Sequence, residues 1–277
     1  ANANPPIQLA GPAGFYSGVG TILFNMVANP ISGKVYVANL ESVNHVRFEG
    51  PGVYAGTFKP PTEPDTVRGH LAETRITVLD GGSVLPRHLN KHIDYTTCCA
   101  DNPTENADSI AFPLGMAVSS NGATLYVAGF GSSEIGIYDT SEIENDTFVP
   151  SSSAQVHVTG GGPTGVVLDE VKSRLYVLTR FDDSISIIST ATGSQTAHLP
   201  LHNPEPAAVV AGRPILYDAS LTSSHGDSAC ASCHIFGDFD SLAWDLGNPD
   251  DTVLNNPGPF KVGPFINPDF HPMKGPM

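Results

Sequence analysis

Basic residues, cysteine and tryptophan are all scarce in this chain of 277 residues. Only 13 Lys and Arg stand against 28 Asp and Glu, so the formal net charge is −15. A predominantly acidic surface repels nucleic acid and anionic membranes, and we expect neither as a partner. No apolar run is long enough to span a membrane, and residues 1–6 do not have the pattern of a signal peptide.

Sequence motifs of several enzyme and metal-binding classes are also missing. The sequence contains no P-loop, no G-x-S-x-G, no H-E-x-x-H and no EF-hand spacing. Aspartates do occur where strands end and turns begin, where they form turns more often than they bind calcium. Calcium binding is therefore possible but unsupported; the residues in question are Asp80, Asp139, Asp169, Asp182 and Asp183.

Short apolar stretches separated by turns recur along the chain, which carries 28 Gly and 24 Pro. Each repeat has two strand-like stretches around a turn, with a tyrosine in the second stretch. The three clear copies are Leu23–Val27 with Lys34–Asn39, Gly115–Val118 with Thr124–Ala128, and Gly165–Leu168 with Arg174–Thr179. A weaker fourth copy joins Ala207–Val210 to Ile215–Tyr217. The repeated tyrosines, at positions 36, 126, 176 and 217, are expected to pack in the core.

A further strand follows in three of the repeats, in what we expect to be an outer position of the sheet. These strands are Arg75–Asp80, Glu134–Asp139 and Ser184–Ser189. A period of about 40–50 residues built from short strands predicts a β-propeller. The sequence thus predicts a mainly β fold with three to four blades of an incomplete propeller over residues 1–210. Insertions are expected at 41–74 and 84–112.

The most specific pattern in the chain is Cys230-Ala231-Ser232-Cys233-His234. C-x-x-C-H is the attachment sequence of a c-type haem, in which both thiols bond to the haem vinyl groups. The histidine then binds the iron. A thioredoxin-like dithiol or half of a zinc site would use the same cysteines. Those alternatives call for a βαβ context or a second ligand pair nearby, and neither is evident in the sequence.

Other residues near the motif are candidates for contact with the haem. Trp244 and Phe236 are expected either to pack on the porphyrin or to serve a structural core. For the sixth iron ligand the candidates are Met273 and His271, then Met277, His225 or an open site. A methionine would raise the redox potential, and an open site would admit peroxide.

Cys98 and Cys99 are adjacent in the sequence and lie outside the motif. They can form a strained vicinal disulfide, bind a metal or remain free. The metal alternative would recruit His88 and His92, which would share one face of a short helix.

The repeats and the motif together resemble known bacterial proteins. Tyr36–Asn39 and Tyr176–Thr179 resemble YVTN-type propeller repeats. Leu216–Thr222 followed by Cys230–His234 is similar to the haem-binding entry of dihaem cytochrome c peroxidases, although Ala219 and Ser220 depart from that pattern and no second C-x-x-C-H follows. The resemblance implies a propeller followed, over residues 211–277, by the start of a peroxidase-like cytochrome domain.

These features predict an exported c-type haem protein, periplasmic or at the cell surface, with its leader absent from this numbering. We expect one haem c, a redox partner protein, and further polypeptide that completes the propeller and the haem domain. Electron transfer is the expected role, with the propeller as scaffold or docking surface. The alternatives are a peroxidase-like oxidoreductase that needs a second haem, and a binding or structural propeller.

Overall fold

Three four-stranded antiparallel sheets, here called blades 1, 2 and 3, make up most of the computed structural model. The structure describes residues 15–44, 69–95, 102–238, 240–242 and 244, and the backbone alone of 53–54 and 65–66. In the described part of the chain, no helix has the length and apolar character needed to cross a membrane.

The blades follow one another along the chain. Blade 1 is formed by β1 (Ile22–Ala28), β2 (Val35–Ser42) and, after the short parallel pair β3 (Val53–Tyr54) and β4 (Asp65–Thr66), β5 (Ala72–Asp80) and β6 (Ser83–His88). Blade 2 is formed by β7 (Pro113–Val118), β8 (Thr124–Gly129), β9 (Glu134–Asp139) and β10 (Gln155–His157). Blade 3 is formed by β11 (Pro163–Asp169), β12 (Arg174–Thr179), β13 (Ser184–Ser189) and β14 (Ser194–Pro200).

Short helices connect these sheets and follow them. Helix α1 (Pro103–Asp108) precedes blade 2, and α2 (Thr140–Asn145) joins β9 to β10. Helices α3 (Ala207–Tyr217) and α4 (Ala219–Thr222) follow blade 3 and lead to two single 3-10 turns, Cys230–Ser232 and Ile235–Gly237. The first turn of α1 is fixed by Asn102, whose side chain accepts a hydrogen bond from the Glu105 amide, and by Pro103 at the first helical position.

Apolar side chains fill the two spaces between neighbouring blades. The tyrosines of the second strands of blades 1 and 2 lie there, because residues that alternate along a strand share one face of the sheet. Tyr36 packs with Leu125 and Val127 between blades 1 and 2. Tyr126 packs with Leu175 and Val177 between blades 2 and 3. The prediction that these two tyrosines pack in the core is confirmed. Tyr217 packs against a third cluster, whereas Tyr176 is only partly buried, because it lies on the face of blade 3 that is turned away from blade 2.

The predicted strands of the three clear repeats are confirmed, but their place in the sheet needs one correction. The strands expected in an outer position are third in each sheet, and a fourth strand, β6, β10 or β14, lies outside them. Of these, β10 has only three residues and a single buried side chain, Val156, so its pattern carries little signal.

The weak fourth repeat was a wrong prediction, because residues 207–217 form the helix α3. The half-buried Val210, Pro214 and Tyr217 recur at helical spacing, and this segment pairs with no strand in the described structure. Pro214 lies inside the helix, where it cannot donate a backbone hydrogen bond.

The insertions are shorter than predicted. Residues 41–42 belong to β2 and 72–74 to β5, while residues 84–88 belong to β6. Strand pairing extends into these residues because each has a partner in blade 1, as in Ser42 with Ala72 and Val84 with Leu79. The division of the chain at 210/211 stays a prediction, and that position falls within α3.

Candidate functional site

The C-x-x-C-H pentapeptide folds into one tight turn. The carbonyl oxygen of Cys230 accepts hydrogen bonds from the amides of Cys233 (3.2 Å) and His234 (3.0 Å). The Ser232 hydroxyl oxygen accepts from the amide of Ala229 at 3.1 Å. Both thiols are free. The turn therefore presents two unpaired thiols and the following imidazole from one short stretch of backbone.

The middle of this turn is anchored on the blades. Ala231 is fully buried in a cluster that includes Leu40 of blade 1, Phe130 of blade 2 and Phe181 of blade 3. Ile235, Leu216 and Tyr217 pack against the same cluster. The pentapeptide thus rests on an apolar surface to which all three blades contribute.

The two cysteines have different surroundings. Cys230 is exposed, whereas Cys233 is partly buried and packs with Val43, Leu71 and Trp244. Burial raises the pKa of Cys233 to about 12, and the nearby Asp240 and Cys230 act in the same direction. The Cys233 thiol is therefore held in its neutral form at neutral pH.

Both aromatic residues predicted for the site lie beside the motif. Trp244 is buried against Cys233, and its indole nitrogen donates to Asp240 Oδ2 at 2.8 Å. Phe236 is 58% exposed and has a positive φ of 52°. Its ring centroid lies 5.8 Å from that of Phe112. Trp244 is thus buried in a small cluster, and Phe236 is the more accessible aromatic surface; contact of either ring with a haem stays a prediction.

The structure places only some of the candidate iron ligands. The His234 side chain is partly exposed and forms no hydrogen bond with another described residue. Met273, His271 and Met277 lie outside the described residues. His225 is buried, and its Nδ1 donates to Glu105 Oε2 at 2.6 Å. Its Nε2 has no hydrogen-bond partner in the described part of the chain.

Buried polar contacts hold the loop that leads into the motif. The Tyr95 hydroxyl donates to Asp227 Oδ2 at 2.7 Å, three residues before Cys230. The Ser109 hydroxyl donates to the carbonyl oxygen of His225 at 2.6 Å. Together with the His225–Glu105 pair, these contacts fix the loop to the connection between blades 1 and 2. Burial raises the pKa of Tyr95 well above its usual value, and Asp227 adds to the shift.

Histidine rings surround Tyr95. His70 stacks on the Tyr95 ring with 3.8 Å between centroids, and His88 lies 6.4 Å from it. Burial lowers the pKa of His88 to about 4. Burial alone would raise the pKa of Glu73, but a hydrogen bond from His70 and the charges of His88 and Arg75 bring it to about 2.

The predicted helix containing His88 and His92 is wrong. His88 ends β6, and His92 lies in the turn that follows, because the chain pairs with β5 up to His88. Cys98 and Cys99 lie outside the described residues, so the vicinal disulfide stays a prediction. Within the ranges that the structure describes, no three His, Cys, Asp or Glu side chains are grouped to hold a metal ion.

Blade 2 carries a second attachment for the segment that follows blade 3. The Ser133 hydroxyl donates to Asp218 Oδ2 at 2.9 Å, and the Ala219 amide donates to the Gly131 carbonyl oxygen at 2.7 Å. A Cβ at Gly131 would lie 3.0 Å from the Tyr217 carbonyl oxygen, so a side chain at this position would press on the end of α3.

Sequence reasoning identified the motif but missed its anchors. Tyr95 and Asp227 are 132 positions apart, and no local pattern connects them. Glu105 carried a weak signal, since Asn-Pro-x-Glu marks a helix start. The aspartates of the turns serve local structure, as expected. Asp139 caps α2, Asp169 accepts from the Lys172 amide, and Asp182 accepts from the Thr179 hydroxyl.

No protein-family model matches this chain, and no curated protein matches it. Among solved structures it is similar to hydrazine synthase of Kuenenia stuttgartiensis, with 20% identity and a TM-score of 0.41 over 61% of this chain and 45% of that one. It is also similar to the RRP9 WD40 repeats, with 16% identity and a TM-score of 0.38 over 66% of this chain and 39% of that one. A third similar structure is the periplasmic gluconolactonase of Pseudomonas aeruginosa, with 13% identity and a TM-score of 0.37 over 65% of this chain and 43% of that one.

This chain spans less than half of each of those three chains. The likeness concerns the fold alone. The description of the three sheets as propeller blades depends on their own strand order and packing.

Proposed function

We propose that this protein is an exported c-type haem protein whose role is electron transfer. The observation that carries the proposal is the turn at Cys230–His234, which presents two free thiols and an imidazole from one stretch of backbone. When bound, the haem supplies an iron that accepts and releases one electron. Cys230 and Cys233 would hold it covalently, and His234 would bind the iron.

The surroundings of the turn suit a large apolar group. Ala231 ties the turn to the aromatic cluster, so the backbone that carries both thiols is held in place. Phe236, two residues after His234 in the sequence, offers an exposed ring, and Cys233 packs with apolar side chains. Residues 211–277 would then form the start of a peroxidase-like cytochrome domain, as the resemblance of the motif suggests.

The net charge of −15 supports a role with a protein partner of opposite charge. An acidic surface steers a basic partner and speeds their encounter. The partner we propose is a redox protein with a basic docking surface, in the periplasm or at the cell surface. The blades would serve as the scaffold for the haem segment.

The test is covalent haem after export in a bacterium that attaches c-type haem. We expect a haem-stained band on a denaturing gel for the unaltered chain. The double variant Cys230→Ala/Cys233→Ala should lose the stain completely. The matched control, Cys98→Ser/Cys99→Ser, removes the same number of thiols and should keep it.

Optical spectra of the same protein then decide the role. A six-coordinate iron that cycles between its two oxidation states without reacting with peroxide supports electron transfer. High-spin iron that reacts with peroxide would replace that role with a peroxidase-like one. If the unaltered chain carries no haem, both the electron-transfer role and the peroxidase-like role are excluded, and a structural or binding propeller is the remaining function.

A further inference from the structure

A cavity of about 260 Å³ lies beside the contact between Ser133 and Asp218. Its wall is formed by the turn between β8 and β9 with the first residue of β9, by β10, by α1 and by the junction of α3 and α4. The residues that line it include none of the C-x-x-C-H turn. A ligand in this cavity would therefore be separate from the haem proposed above.

The wall of the cavity is polar, even where it is buried. Its buried polar side chains are Ser109, Ser132, Ser133 and Asp218. The two apolar residues that line it, Ala107 and Leu221, are both exposed. Because buried polar groups are held by hydrogen bonds, a wall of this kind suits a polar ligand and not an apolar one.

Two carboxylates make the cavity negative. The Asp218 carboxylate accepts hydrogen bonds from the Ser133 hydroxyl at 2.9 Å and from the Ser220 amide at 3.0 Å. Glu134 Oε1 lies 3.2 Å from His157 Nδ1. Burial raises the pKa of Glu134, His157 opposes the rise, and the charge of Asp218 adds to it. No Lys or Arg is among the lining residues, so a bound cation would be attracted by both carboxylates.

Several oxygens in the wall remain available to a ligand. The Gln155 amide nitrogen donates to the Asp108 carbonyl oxygen at 2.9 Å, and that of Asn106 to the Ser223 carbonyl oxygen at 2.8 Å. The amide oxygens of both side chains, and Glu134 Oε2, accept no hydrogen bond from a described residue. The wall thus offers acceptors to a ligand that carries N–H and O–H groups.

We propose that this cavity binds a small hydroxylated organic cation, such as an amino sugar. Its ammonium group would bond with Glu134 beside Asp218, and its hydroxyl groups with Gln155 and Asn106. An ammonium group carries three donors and no acceptor, which matches this wall. An anion would be repelled by the two carboxylates. A bound metal ion is not favoured, because the described ranges contain no group of three His, Cys, Asp or Glu side chains suited to hold one.

Calorimetric titration of the 277-residue chain with glucosamine, under conditions in which its amine is protonated, tests the proposal. Glucose is the neutral probe of matched size. We expect glucosamine to bind at least about tenfold more tightly than glucose, because hydrogen bonds to charged groups are the stronger ones. Glu134→Gln should weaken glucosamine binding by a similar factor. The control, Glu142→Gln, removes one negative charge from an exposed position of α2 outside the cavity and should leave binding unchanged.

A second variant keeps the test decisive if Glu134→Gln does not fold. Ala107→Phe, at an exposed position of α1 in the cavity wall, blocks the cavity while both carboxylates remain, and it should also abolish binding. Bound glucosamine should slow hydrogen exchange in residues 131–134 and 218–221. Absence of glucosamine binding, or equal binding of glucose, would overturn the proposal. So would an equal loss in Glu142→Gln, which would identify general attraction to an acidic surface.

Discussion

Blades 2 and 3 have the same strand order, yet they differ in how they are buried. Strand β8 of blade 2 is buried from Leu125 to Gly129, whereas β12 of blade 3 alternates between buried and accessible residues. The reason is that blade 2 lies between two neighbours and blade 3 touches only one in the described structure. Similar sequences therefore occupy different environments. The same substitution at equivalent positions of the two blades can then be compared directly.

The largest difference is expected at the isoleucines of the third strands. Ile135 in blade 2 is fully buried, and its equivalent in blade 3, Ile185, is only partly buried. Because a cavity in a closed core costs more than a truncation at a surface, Ile135→Ala should lower the free energy of unfolding by about 3 kcal/mol. Ile185→Ala should cost about 1 kcal/mol in the 277-residue chain. Urea unfolding of both variants measures this, and equal losses would contradict the difference in burial.

Acid should loosen blade 1 before the contact between blades 2 and 3. The pKa of His88 is about 4 in the folded protein, against an ordinary value of 6.5. The unfolded chain therefore takes up this proton first, so stability is complete above about pH 6.5 and falls as the pH drops toward 4. The full shift corresponds to about 3 kcal/mol. Glu73, with a pKa of about 2, adds a loss at lower pH, between about 4.5 and 2.

Unfolding curves at several pH values test the role of His88. His88→Gln should flatten the loss of stability between pH 6.5 and 4. The control, His202→Gln, changes an exposed histidine that follows blade 3 and should leave the pH dependence as it is. If the free energy of unfolding of His88→Gln depends on pH as steeply as that of the unaltered chain, His88 does not titrate as described.

The next largest effect on stability is expected at the equivalent glycines in the first strands of blades 2 and 3, Gly115 and Gly165. Gly115→Ala places a methyl group against the backbone of blade 3 and should cost about 2 kcal/mol. Gly165→Ala meets nothing closer than 4.0 Å in this structure and should change the stability of the 277-residue chain by less than about 0.5 kcal/mol. Thermal unfolding of the two variants is the measurement. A large loss of stability for Gly165→Ala in the 277-residue chain would mean that strand β11 of blade 3 is already covered at this position.

The smallest effect concerns the turn before the third strand, where Ser133 and Asp183 are equivalent and both have a positive φ. Ser133 donates to the buried Asp218, whereas Asp183 pairs with Arg180 and, at 3.6 Å, with Arg213 of α3, and has no contact with residues 218–234 in the described structure. Ser133→Ala should weaken this attachment by about 1 kcal/mol and speed hydrogen exchange in residues 218–234. Asp183→Ala should leave exchange in that segment unchanged, and a faster exchange there would contradict the assignment of Ser133 as the anchor.

The elements that depend on local sequence patterns could be predicted from the sequence alone. Arg174–Thr179 and Glu134–Asp139 were predicted with their observed bounds, because alternating side chains between turn residues are typical of strands. Residues 207–217 were predicted wrongly, since apolar residues such as Val209, Val210 and Ile215 favour a strand only where a neighbouring strand pairs with them.

The candidate site shows the same division. The C-x-x-C-H motif is recognisable because its five residues are contiguous. The Tyr95–Asp227 and Ser133–Asp218 contacts join residues far apart in the chain, so only the folded structure reveals them. The burial of Cys233 likewise depends on Val43 and Leu71, which precede it by more than half of the chain.

The most direct test of the central claim is the mass of the peptide that contains Cys230–His234, taken from protein exported in a strain that attaches c-type haem. We expect this peptide to carry one haem bonded through both sulfurs, and we expect that neither sulfur can be alkylated after unfolding. A peptide of unmodified mass, in which Cys230 and Cys233 both alkylate, would contradict it.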